Sequence, residues 1–216
     1  MSALLRRLLA PALVLALATA GAARADPLRP PADARAEARI GALFTEARGA
    51  LGGGDGAAVL PLLSRASLAR LEAIRAAARN GAAANLTSFG PAEKVAVLSL
   101  RRFLTPAQLR TMRTPELANH ALAEHWLGPS AIDQASLGPL AIEGDRASAP
   151  LLVKGKPGLV RAAFLRESGQ WKIDLIPTVT VADDLLRLFA GIAGQSEDVY
   201  AAKLAGRLRR PPADAR

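Results

Sequence analysis

The chain has 216 residues, 28 Lys and Arg against 19 Asp and Glu, a formal charge of +9, and no cysteine. Without cysteine it can form no disulfide, offer no thiol nucleophile and carry no lipid-modified N-terminal Cys. The positive balance favours anionic partners, but few aromatics accompany the scattered basic residues, so base stacking has little to work with and nucleic acid is not an expected partner.

In chain order, residues 1–25 read as a signal peptide. Arg6 and Arg7 form a charged start, Leu8 to Ala20 is an apolar run of 13 residues, and Ala23-Arg24-Ala25 is a small-x-small cleavage site. Thirteen residues fall short of the ~20 that span a bilayer, so no integral membrane span is expected after cleavage, and the destination is periplasmic or secreted. Cleavage would take away Arg6, Arg7 and Arg24 and no acid, lowering the charge from +9 to +6.

Residues 26–56 read as a linker and an N-terminal helix. The prolines at 27, 30 and 31 open it, and Ile40, Leu43, Phe44 and Ala47 follow at helical spacing from Ala32 to Leu51. The glycine-rich segment 52–56 stops this helix. No strand precedes it and no Lys-Ser/Thr follows, so it reads as a hinge and not as a phosphate loop. A helical region runs from Ala57 to Asn80, restarted near Pro61, with Leu68, Leu71, Ile74 and Ala78 on one face. Gly90-Pro91, Thr105-Pro106 and Thr114-Pro115 repeat one start signal, a capping residue before a proline that needs no N–H partner. They predict helices from Pro91, over Pro106–Met112 and over Pro115–Leu127.

From Leu137 to Ile176 the pattern changes. Turn signals at 143–146, 154–158 and 167–170 recur about every 12 residues, as in a meander of about four strands. Trp171, Ile173 and Leu175 share one face of the last strand, and Lys172 and Asp174 the other. After Pro177 the chain is helical again. Val181, Leu185, Leu188, Phe189 and Ile192 form an apolar stripe, with Asp183 and Asp184 in the first turn. Core or dimer packing is the first reading of the stripe, and the second of these would make the chain a homodimer. A lid and a membrane-touching helix are the others, the last opposed by the two acids. Ser196 caps a final helix to about Leu208, and residues 209–216 read as a disordered tail. The expectation is an α+β fold: helices packed on a curved antiparallel sheet, then C-terminal helices, with residues 57–208 as one domain.

Candidate chemistry is sparse. His120 and His125 are the two histidines, roughly 140° apart on one helix, and cannot share a metal from it. Glu116, His120 and Glu124 step along a face at i, i+4, which suits ordinary Glu–His pairing better than a metal trio. His125 shares a face with Ala118, Ala121 and Leu122, with Trp126 at its edge. It is either a core histidine bonded to backbone or a polar group at the head of an apolar pocket. Asp174 lies within a strand and is expected to pair with Lys172 or Arg161. As an acid/base residue it would have to face a cavity near His125. No serine sits in a Gly-x-Ser-x-Gly elbow. No cofactor or metal is expected. The candidate ligand-binding residues are Leu122, His125, Trp126, Phe164 and Trp171, and the only catalytic candidates are His125 and Asp174.

Helices followed by a meander closing on Gly169-Gln170-Trp171-Lys172-Ile173-Asp174-Leu175 resemble the nuclear-transport-factor-two-like (SnoaL-like) cone-fold superfamily over roughly residues 57–176. That resemblance implies a curled sheet wrapped on helices with a cavity at the wide end, in a superfamily holding both enzymes and non-catalytic proteins. The helices after the last strand also resemble, in architecture, the periplasmic phospholipid-shuttle proteins of the toluene-tolerance type. Together they imply an exported, non-enzymatic protein with an apolar cavity for a ligand or partner. The alternatives are a phospholipid carrier and a small cavity enzyme using His125 and Asp174.

Overall fold

The computed structural model describes residues 31–81, 86–124 and 134–207. The signal-peptide segment, the C-terminal tail, His125 and Trp126 lie outside the described residues.

Helix α1 (Pro31–Gly52) leads. A short helix α2 (Gly56–Val59), capped by the Asp55 carboxylate accepting from Ala58 N, runs into a 3-10 turn at Leu60–Leu62. Pro61 lies in that turn, and Ser64 starts α3 (Arg65–Asn80) by accepting from Ser67 N. The three proline-marked helices follow as α4 (Pro91–Phe103), α5 (Pro106–Thr111) and α6 (Thr114–Ala123). On α5 the expected capping box is complete: Gln108 N donates to Thr105 Oγ1, and Thr105 N donates to Gln108 Oε1. Helix α6 stops at Ala123, four residues before the expected Leu127.

The sheet is antiparallel throughout and curled, with β1 (Ala135–Leu137), β2 (Ala141–Glu143), β3 (Arg146–Val153), β4 (Lys156–Glu167) and β5 (Gln170–Asp174). The spatial order is β1-β3-β4-β5, and β2 pairs with β3. The three turn signals become two-residue hairpin loops, closed by the pairs Glu143–Arg146, Val153–Lys156 and Glu167–Gln170. In the latter two, both loop residues have positive φ: Lys154 53° and Gly155 74°, Ser168 49° and Gly169 78°. This turn follows the right-handed twist of the strands and favours Gly at its second position. A register shift between Pro150 and Leu152 breaks the β3–β4 ladder.

Two apolar clusters hold the molecule. The first joins α3, α4 and α5 through Ala77, Ala78, Val97, Leu100, Leu104 and Leu109. The second joins α1 to the inner face of the sheet, with Ile40 and Leu43 against Ala147, Phe164 and Trp171. The strand period puts Phe164, Ile173 and Trp171 on this inner face and Ala163 and Asp174 on the outer.

The last strand feeds α7 (Ile176–Ile192) and then α8 (Glu197–Arg207), both packed against α4. Buried Ala190, Ala201 and Ala205 allow that close approach. The basic pair on the last turn of α4 works inside the fold. Arg101 donates to the Ala77 carbonyl (2.7 Å) at the end of α3, and Arg102 to the Ala205 carbonyl (3.0 Å) at the end of α8. Cations thus meet the negative ends of two helices.

Of the two first readings of the α7 stripe, core packing is overturned. The α7 stripe does not enter the core: Leu188 is 57% exposed, Phe189 47% and Ile192 74%. The opposite side of the helix, with Ala190 buried, is the one turned inward. Among the described residues no helix is long and apolar enough to cross a membrane.

Candidate groove on the outer sheet face

With α1 covering its inner face, the sheet meets α7 at its outer face. Between them lies an open groove of about 380 Å³. Its sheet side carries Ala141, Ser148 and Ala163. Pro177 and Val181 form the α7 side, and Phe164 and Asp174 contribute to the lining. Leu159, 84% exposed, stands at the rim. Val181 links the groove to the exposed stripe, because Leu188 and Ile192 continue the same helical face.

Four charged side chains line the groove, Glu143, Arg146, Arg161 and Asp174, two of each sign. Glu143 and Arg146 are cross-strand partners on the β2–β3 hairpin, and Arg161 donates to Ser148 Oγ (3.0 Å) from β4. Among the described residues neither Arg146 nor Arg161 lies within 4 Å of a carboxylate oxygen. Glu143 borders the same groove without pairing to either.

Asp174 does not pair with Lys172 or Arg161, which corrects the sequence expectation. Lys172 Nζ instead reaches the Pro61 carbonyl (2.7 Å). Asp174 Oδ1 accepts from Ser64 Oγ (3.3 Å), Ser67 Oγ (3.2 Å) and Ile176 N (3.2 Å). Both serines are buried, and Ser67 Oγ also accepts from Leu175 N (2.8 Å). Nearby, Ser64 N donates to the Ile173 carbonyl (2.8 Å), and Leu63 bridges to Ile173, which together cover the open edge of β5. The carboxylate therefore ties the start of α3 to the point where β5 turns into α7. It satisfies buried hydroxyls and a helix-terminal N–H, a structural task.

The remaining sequence candidates are dispersed. Phe164 and Trp171 pack together in the inner cluster, 2% and 7% exposed. Leu122 is half-buried on α6, which packs against α2. Glu116 is held by Arg113, accepting from its backbone N (2.7 Å) and its guanidinium. The backbone bond foremost keeps its carboxyl below the usual range. Among the described residues no three His, Asp or Glu side chains gather as metal ligands would.

The two acids on α7 have separate duties. Asp183 turns inward and accepts from Ala92 N (2.8 Å), capping α4 from outside. Gly90 leaves room for it, since a Cβ there would collide with the Asp183 carboxylate. Asp184 pairs with Arg187 (2.9 Å). Beside this cap, buried Glu93 accepts from Gly90 N (3.0 Å) and pairs with Arg70, whose guanidinium lies 4.8 Å from the Phe89 ring centre. Glu93 in turn raises the Arg70 pKa, by its hydrogen bond first. Neither α7 acid thus stands as an unneutralised carboxylate on the apolar stripe.

Sequence reasoning missed Arg146 and Arg161 as site residues. The signal was available in principle: both lie on strands in positions of the outer-face parity, within a few residues of a turn signal. No family model, curated protein or solved structure matches this chain.

Proposed function

We propose that this is an exported, non-enzymatic binding protein that takes an apolar or amphiphilic molecule into the groove between the outer sheet face and α7. The observation that carries the reading is the apolar stripe of α7, which faces solvent and runs into the groove at Val181. Exposing Leu188, Phe189 and Ile192 costs free energy in an isolated chain, and a contiguous apolar surface of this kind marks a binding face. The groove volume of about 380 Å³ falls within the ~300–1,000 Å³ common to ligand sites.

Against the cavity-enzyme alternative stands the engagement of Asp174 with three hydrogen-bond donors. A lipid carrier is the form of the reading that uses the groove and the stripe together: the groove holds part of a chain and the helix face extends the apolar track. Helices before a curled sheet and helices after it support kinship with the cone folds and the periplasmic phospholipid shuttles. Export rests on the charged, apolar and small-residue order of residues 1–25.

Two experiments test this. A reporter fused to residues 1–30 should reach the periplasm of a bacterial host, and retention in the cytoplasm refutes export. Native mass spectrometry of the protein purified from that periplasm without detergent should show a copurified apolar molecule. The adduct should be lost in Val181→Glu. A bare chain, or an adduct that Val181→Glu retains, overturns the groove as the binding site.

A further inference from the structure

We infer that the ligand of the groove carries an anionic head, a carboxylate or phosphate on an apolar chain, and that Arg146 and Arg161 receive it. The inference rests on the groove being the binding site, and goes on to name the ligand's chemistry.

Arg146 leaves β3 beside the Gly144-Asp145 turn, and Arg161 leaves β4 opposite Pro150, at the edge of the register shift. Both line the groove from the same sheet face. Most arginines with a described role in this protein are engaged: Arg70 with Glu93, Arg75 with Glu72, Arg113 with Glu116, Arg187 with Asp184 and Glu197. Of the arginines without a carboxylate partner among the described residues, Arg146 and Arg161 are the two that line the groove. Arg161 has only the neutral Ser148 hydroxyl, and among the described residues neither has a carboxylate within 4 Å. Facing them on the α7 side are Pro177 and Val181, which offer no charge, and the Asp174 carboxylate in the lining is taken up by Ser64, Ser67 and Ile176 N.

A guanidinium presents a planar fork of donors that matches carboxylate and phosphate oxygens. Two of them at one wall of an apolar groove fix the orientation of an amphiphile: head at the β3–β4 wall, chain along Val181 toward Leu188 and Ile192. Glu143, on the same rim, disfavours a second anionic group there. A singly headed amphiphile therefore suits the groove better than a polyanion. The charge of +6 that remains after cleavage of residues 1–25 draws such ligands in.

The test compares three probes of equal chain length below their micellar concentrations at pH 8: dodecanoate, dodecyl phosphate and dodecanol. Calorimetry or displacement of a fluorescent apolar probe reads the dissociation constant. The expected result is that both anions bind about tenfold or more tighter than dodecanol. Arg146→Gln and Arg161→Gln should each weaken the anions roughly three- to tenfold and leave dodecanol unchanged. Raising salt should weaken the anions alone. Arg161→Lys should keep part of the gain, since the charge remains but the fork is lost. Arg187→Gln, equal in charge change but on a side chain already paired with Asp184, should change nothing. If all three probes bind alike, or the groove variants act no differently from Arg187→Gln, the anionic-head inference falls and the groove reading stands. If none of the three binds, both fall.

Discussion

Replacing Asp174 separates a structural carboxylate from a catalytic one. Its Oδ1 accepts from two buried hydroxyls and from the first N–H of α7 at 3.2–3.3 Å. In Asp174→Ala, the Ser64 and Ser67 hydroxyls can still bond to each other across 2.8 Å. That contact uses one of the two hydroxyl protons, so the other is left buried without its acceptor. Such an orphan costs about 1–3 kcal/mol, and Ile176 N adds up to about 1 kcal/mol for a lost cap. The expected total is roughly 2–3 kcal/mol, which for a domain of this size lowers Tm by about 5–10 °C. Asp174→Asn keeps an oxygen where Oδ1 stands and should cost about 1 kcal/mol or less. Urea unfolding followed by far-UV circular dichroism and by tryptophan fluorescence, for which buried Trp171 is a local reporter, measures both. An Asp174→Ala variant as stable as the parent or more so would refute the reasoning and revive a strained catalytic carboxylate. So would an Asn variant no better than Ala.

Three further outcomes are expected. Gly90→Ala places a methyl against the Asp183 carboxylate and should displace it from Ala92 N, costing about 2 kcal/mol or more by thermal unfolding, whereas Ala at open Gly41 should be neutral or stabilising. Leu188→Gln and Ile192→Gln, both on the exposed stripe, should change stability by no more than about 0.5 kcal/mol while weakening binding of a long-chain probe; a large loss of stability would mean the stripe is covered within the fold. The Glu72 carboxyl is held below its usual range, first by the Thr114 hydroxyl and then by Arg75, so its contribution is present above the unfolded value of about 4.3 and is lost as pH falls through the lower folded value. Glu72→Gln should therefore flatten the acid limb of a stability-versus-pH curve below about pH 4.3, and an unchanged limb would contradict the assignment.

Much of the backbone plan was legible because its determinants are local. Prolines at 91, 106 and 115 and the Thr105–Gln108 box act within a single turn of chain, and helices begin where they stand. Glycines at 155 and 169 supply the positive φ that two-residue hairpins demand, so the strand boundaries could be read from them. The α+β class followed from the order of these elements.

Tertiary structure decided who covers whom. The periodicity of Val181 to Ile192 marks an apolar face but carries no information about what lies opposite, and here α4 and α8 take the other side of the helix. Asp183 and Asp174 look like surface or functional acids in isolation. Their partners, Ala92 and the pair Ser64 and Ser67, stand about a hundred positions away, beyond the reach of any local pattern. The groove is likewise a product of docking α7 on the outer sheet face, where residues from four strands and one helix first meet. Sequence specifies the short-range torsions and faces, and only packing chooses which of those faces are paired and which remain open to solvent.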